Sequence, residues 1–107
     1  MTAQVRLEIS SIADRIGEIC SGAQVYLFGS YARGEENADS DLDICVICES
    51  ISGRRIDLMH TIRRAIYKLT DKPLDIVVYE RDDFTRNAMN RSRLEYSIQH
   101  EGVPINV

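Results

Sequence analysis

Between residue 4 and about residue 21, Val5, Ile9, Ile12, Ile16 and Ile19 with Cys20 recur at steps of three and four. That is the period of one helix face, with Glu8, Asp14, Arg15 and Glu18 between the apolar positions. The spacing predicts a packing helix. Ser21-Gly22 ends it, because glycine tolerates the left-handed conformation at a helix end. Gln24 to Phe28 is a short apolar run that stops at a glycine, which predicts a buried strand. Gly29-Ser30 opens a turn or a short helix, Arg33-Gly34 closes it, and Glu35 to Ser40 is a polar loop.

Asp41 to Cys48 is a second strand. Alternation puts Asp41, Asp43, Cys45 and Ile47 on one face and Leu42, Ile44, Val46 and Cys48 on the other. Both faces are apolar further along, so both are expected to be covered, with the aspartates at the entrance. Ser52 to about Thr70 is a second long helix with a stripe of Leu58, Ile62, Ala65, Ile66 and Leu69. Arg54, Arg55, Arg63, Arg64 and Lys68 lie mostly off that stripe. Pro73 stops the helix and biases Lys72 towards an extended conformation. Leu74 to Tyr79 is a third strand with Asp75 near its start. Asp82-Asp83-Phe84 opens a helical turn, and Ser92 to His100 is helical up to Gly102. Val103, Ile105 and Val107 alternate as a last edge strand. There is no internal repeat, low-complexity segment or linker.

This order predicts an α+β (α/β-like) fold, a small mixed sheet packed against helices. The first two strands are close in sequence and pair antiparallel, which brings Gly29-Ser30 beside Asp41. The long helix between the second and third strands suits a right-handed parallel crossover. Parallel strands share a starting edge, so Asp75 comes up next to Asp43. Three carboxylates then crowd one rim with a Gly-Ser turn. Like charges so placed repel and drive one pKa up unless cations compensate. Mg²⁺ prefers carboxylate and phosphate oxygens, and two ions can flank an in-line displacement at phosphorus. The plainer alternative is that Asp41 caps a turn and Asp75 pairs with Arg81 or Lys72. A lone Asp-x-Asp carries little weight. The upstream Gly-Ser and the strand-borne Asp75 favour chemistry.

The chain has 107 residues, the size of one compact domain spanning 1–107. No apolar run approaches the ~20 residues of a membrane span, and the N-terminus lacks the layout of a signal peptide. A cytoplasmic protein is expected. The net charge of -4 argues against stable nucleic-acid binding, which needs Lys and Arg to displace counterions. It leaves nucleotide substrates open, because a metal can neutralise a triphosphate. Cys20, Cys45 and Cys48 are expected to be reduced thiols. Cys45 and Cys48 have CxxC spacing, but three residues apart on a strand they face opposite sides. Buried apolar roles are therefore preferred over a redox or zinc site.

Gly29-Ser30, the ten residues that follow, Asp41-Leu42-Asp43 and the later Asp75 resemble the signature of the polymerase-beta-type nucleotidyltransferase superfamily. The fuller run Gly29-Ser30-Tyr31-Ala32-Arg33-Gly34 with Ser40-Asp41-Leu42-Asp43 resembles its minimal nucleotidyltransferase branch. The resemblance implies that fold and a metal-dependent transfer of a nucleoside monophosphate from a triphosphate to a hydroxyl, with release of pyrophosphate. It implies that Asp41, Asp43 and Asp75 are catalytic and hold two Mg²⁺ ions. Asp75 would also orient the acceptor hydroxyl. Gly29 and Ser30 would contact the triphosphate, ATP being the expected substrate, with Arg33 as a further phosphate contact. Larger relatives carry extra domains for base and acceptor, and none is expected here. Minimal members often act as antitoxins of small helical HEPN proteins, in some cases by adding AMP to a tyrosine of that partner.

Three functions follow as alternatives. One is an adenylyltransferase acting on a HEPN toxin. Another is an antitoxin that neutralises its partner by binding alone, with Arg81, Arg86, Arg91 and Arg93 as candidate contacts in place of a merely solvated face. The third is transfer to a small molecule such as an aminoglycoside, which needs an extra wall from a homo- or hetero-oligomer. Tyr31 and Tyr79 are read as core packing before base stacking, and His60 and His100 are given no role.

Overall fold

A computed structural model describes residues 1–105. Helix α1 spans Ala3–Ile19 and starts where Thr2 Oγ1 accepts the Val5 N–H at 3.2 Å. Strand β1 is Gln24–Phe28, the short helix α2 is Gly29–Arg33, and strand β2 is Leu42–Cys48. Helix α3, Arg55–Ile66, runs into a 3-10 turn at Tyr67–Leu69. Strand β3 is Leu74–Glu80, followed by α4, Arg81–Asn87, α5, Leu94–Glu101, and β4, Val103–Pro104. The sheet order is β3-β2-β1-β4. β1 pairs antiparallel with β2 and β4, and β2 pairs parallel with β3. This is the mixed α+β sheet that the strand order predicts.

The alternation along β2 is kept. Leu42, Ile44, Val46 and Cys48 face the larger core with Ile9, Ile12 and Ile16 of α1 and Ile62 and Ile66 of α3. Cys45 and Ile47 face a smaller core with Phe84, Ala88 and Ile98 from α4 and α5. Ile12, Ile16, Ile44, Ile62 and Ile66 are fully buried. Each contributes about 1.5–3 kcal/mol relative to an exposed side chain. Helices α1 and α3 cover the first face along β2. On the second face Phe28 and Val77 are only partly buried, so the sheet lies open near its acidic rim.

Several boundaries differ from the expectations. The second long helix begins at Arg55, because Gly53 at φ +83 turns the chain just before it, and its last turn tightens at Tyr67. Thr70 Oγ1 then accepts the Lys72 N–H at 3.2 Å and feeds Pro73 into β3. The expected turn at Asp82 is part of a full helix, α4. The last strand is short: Val103 and Pro104 pair with β1, and the Ile105 N–H reaches the Val25 carbonyl at 3.0 Å. Val107 lies outside the described residues. Of the three cysteines, expected as reduced thiols in buried apolar roles, two meet. The end of α1 abuts the far end of β2, and Cys20 pairs with Cys48 sulfur to sulfur. Cys45, on the opposite face, is the free and buried one among the described residues.

Candidate active site

The acids meet because of strand register. In the parallel ladder Asp43 is the Cα partner of Asp75, one position past Leu42 and Leu74. The Leu42 N–H donates to the Pro73 carbonyl at 2.9 Å, so the ladder starts at the rim itself. In the antiparallel ladder Phe28 is the partner of Asp43, which sets the following Gly29 against it. The fit is tight: an ideal Cβ on Gly29 would lie 2.9 Å from Asp43 Cγ and closer still to its Oδ2. Gly29 also has φ +73, a conformation that side chains disfavour. Glycine is therefore required here twice over. Sequence order predicts the turn beside Asp41, whereas the register sets Gly29 on Asp43.

The electrostatics follow. The carboxyl of Asp43 is pushed up to about 6, first by burial, then by the charges of Asp75 and Asp41 and by a hydrogen bond with Asp75. Arg33 opposes the shift. It lies on the short helix, exposed, with its Nε 3.0 Å from Glu35 Oε2. Asp75 is exposed, and its neighbour is another acid. Arg81 bonds instead to Glu49 and Gln24, and Lys72 turns to Tyr31, with Nζ 5.8 Å from the ring centre. Asp41 does not close the preceding loop. That is done by the Asn37 N–H to Ser40 Oγ at 2.9 Å and the Asp39 N–H to Asn37 Oδ1 at 2.8 Å. The plain structural uses open to Asp41 and Asp75 are thus taken by other residues.

Ser30 sits in the first turn of α2, half-buried, and its carbonyl accepts the Glu35 N–H at 2.9 Å. Tyr31 and Tyr79 are core residues, with Tyr79 edge-on to Phe84 at 5.4 Å between ring centres. Burial pushes the Tyr79 hydroxyl up to about 12, helped by Glu95. The Cys45 thiol likewise goes to about 12, so it is inert. Lys72, expected as one possible partner of Asp75, turns to Tyr31 instead.

Among the described residues, no three His, Cys, Asp or Glu side chains form a ready-made metal cage. Mg²⁺ seldom uses one. It is ordinarily held by one or two carboxylates together with substrate phosphates and waters. The hard oxygen donors of Asp43 and Asp75 fit that pattern. A divalent cation would also relieve the mutual repulsion that raises Asp43.

A solved structure of a candidate nucleotidyltransferase from Sulfolobus solfataricus superposes with a TM-score of 0.55 at 20% identity, covering 94% of this chain and 80% of that one. A toxin–antitoxin structure with AMP-PNP gives 0.54 at 18% identity, covering 92% and 71%. At these identities the likeness is one of fold. No curated protein matches the sequence. No helix among the described residues is long and apolar enough to cross a membrane. The sequence itself matches the family model described as "Nucleotidyltransferase domain" over residues 9–103, nearly the whole chain, and the protein belongs to that family.

Proposed function

We propose that this nucleotidyltransferase moves AMP from ATP onto a hydroxyl of a protein partner, a tyrosine of a helical HEPN toxin, and so acts as its antitoxin. The observation that carries the proposal is the register that faces Asp43 with Asp75 and packs Gly29 against them. Asp41, Asp43 and Asp75 would hold two Mg²⁺ ions, which supply charge neutralisation at the triphosphate when bound. Gly29 lets the backbone approach the β- and γ-phosphates closely, and the Ser30 hydroxyl donates to them. Arg33, swinging from Glu35, adds a cation. Asp75 lies on the open face and takes the proton of the acceptor hydroxyl. The acceptor oxygen bonds to the α-phosphorus as the bond to pyrophosphate breaks.

In this reading the nucleotidyltransferase domain, matched over residues 9–103, performs the transfer, and the partner presents the acceptor hydroxyl. Support for ATP and for a toxin comes from the fold neighbour described as a toxin–antitoxin with AMP-PNP. The cytoplasm, where ATP is abundant, is the fitting compartment. The test is the intact mass of the co-purified partner with and without ATP and Mg²⁺. A gain of one AMP that disappears in Asp75→Asn is expected. No gain, with neutralisation unaffected by Asp43→Ala, would leave an antitoxin that works by binding alone.

A further inference from the structure

The outer edge of β3 carries a feature that the transfer reaction does not use. In the parallel ladder the odd positions of β3 bond to β2: Pro73 accepts from Leu42, so Asp75, Val77 and Tyr79 follow inward. Leu74, Ile76, Val78 and Glu80 therefore turn their N–H and C=O groups outward. The Leu74 carbonyl confirms this, because Arg63 Nη1 caps it from outside at 2.9 Å. Among the described residues nothing comparable reaches the outward groups of Ile76 and Val78. An open edge this apolar is normally blocked by a charge, a bulge or a covering element. Here it borders a cavity of about 230 Å³, walled by Ile56, Met59 and Arg55 of α3. Ile56 is 45% exposed, although it is a large aliphatic side chain.

The unpaired charges along α3 beside this groove are arginines. Arg54 is neutralised by Asp57 at 3.0 Å, but Arg55, Arg63 and Arg64 have no carboxylate within ion-pair distance among the described residues. Of the acids at the far end, Glu80 is held by the Ile51 N–H and Asp83 by Arg86. A second copy of this chain is a poor occupant. Antiparallel pairing of two β3 edges about Val77 would bring Arg63 of each copy towards Arg55 of the other. Like charges so placed oppose association.

We propose that this edge groove is a docking site for an extended, acidic segment of a partner protein, which adds as a strand beside Ile76 and Val78. The segment's backbone would pair with the four outward groups, as in other strand additions. Its alternate apolar side chains would rest on Ile56 and Met59, and its carboxylates would meet Arg55 and Arg63. The groove begins one residue beyond Asp75, so one end of the docked strand lies at the acidic rim. The site stands whether or not transfer occurs there.

The test uses the whole chain, isotope-labelled, with a short capped peptide alternating glutamate and valine added to about 1 mM. The expected result is a shift and slowed hydrogen exchange at the amides of Ile76 and Val78, while those of Val77 and Tyr79 stay as they were. The effect should weaken with salt and fall about tenfold in Arg55→Glu. A control peptide with alternate backbone nitrogens methylated should not bind. Equal binding of that control, or of a lysine–valine peptide, would overturn the proposal. So would unchanged amides at the highest peptide concentration, or shifts that track protein concentration alone and mark self-association.

Discussion

Gly29 and Asp43 are packed so closely that a single methyl group on the glycine would collide with the carboxylate. The aspartate cannot retreat easily, since its strand is bonded on both sides, to β1 and to β3. Gly29→Ala should therefore displace the acid and strain a backbone at φ +73. The left-handed conformation alone costs about 1–2 kcal/mol. Transfer should be lost and the melting temperature should drop by several degrees. Ser30→Ala, which leaves the backbone unchanged, should weaken ATP binding without that drop. Calorimetry and a pyrophosphate-release assay on the two variants check this.

Removing one acid should separate activity from stability. In Asp43→Asn or Asp75→Asn the repulsion between facing side chains disappears, so the metal-free protein should melt at a higher temperature. Transfer should fall by at least roughly 100-fold, as when a group that stabilises transition-state charge is deleted. An active variant, or one that is less stable without metal, would contradict the pairing.

The raised carboxyl of Asp43 gives a pH dependence of definite sign. Its folded value is about 6 against 3.8 for the free group, so between these values the folded state binds more protons. Stability without metal should fall as pH rises from about 4 to about 6 and change little from this group outside that window. The carboxyl is partly solvated, so screening limits the effect to the order of 1 kcal/mol. Asp43→Asn should remove it. Mg²⁺, which needs the ionised form, should bind more tightly as pH climbs through about 6. Denaturant melts and metal titrations across that range check both statements.

Ile44 is fully buried between the two acid-bearing positions and the α1–α3 helix layer. Ile44→Ala should cost about 2–5 kcal/mol, a large part of a small domain's stability. The conservative Ile44→Val should cost less than about 1.5 kcal/mol. Chemical denaturation measures both, and the alanine variant should also loosen the site.

Three strands and two long helices are legible in the sequence because glycines and Pro73 bound the apolar runs and because their periods are clean. The meeting of Asp43 with Asp75 is legible for a related reason. A helix-length connection implies parallel pairing, and parallel pairing aligns strand starts. The start of α3 was missed by three residues because Gly53, at a positive φ, bends the chain just before it. The contact of Cys20 with Cys48 has no signature in spacing, because it depends on how α1 crosses the sheet. The β3 edge was equally hidden. Nothing in Ile76 or Val78 as residue types says which way their backbone groups turn. That depends on which atoms Leu42 and its successors claim.

Side chains of a strand alternate, so sliding β3 by a single residue against β2 would carry Asp75 to the opposite face of the sheet. It would then point into the isoleucine layer beneath α1 and α3. Ile76 and Val78, sunk in that layer, resist any such slip, because it would turn them out towards water. Custody of the acid thus belongs to two aliphatic residues that touch no substrate. Natural variants that change their bulk should be expected to misplace a charge before they unfold the protein.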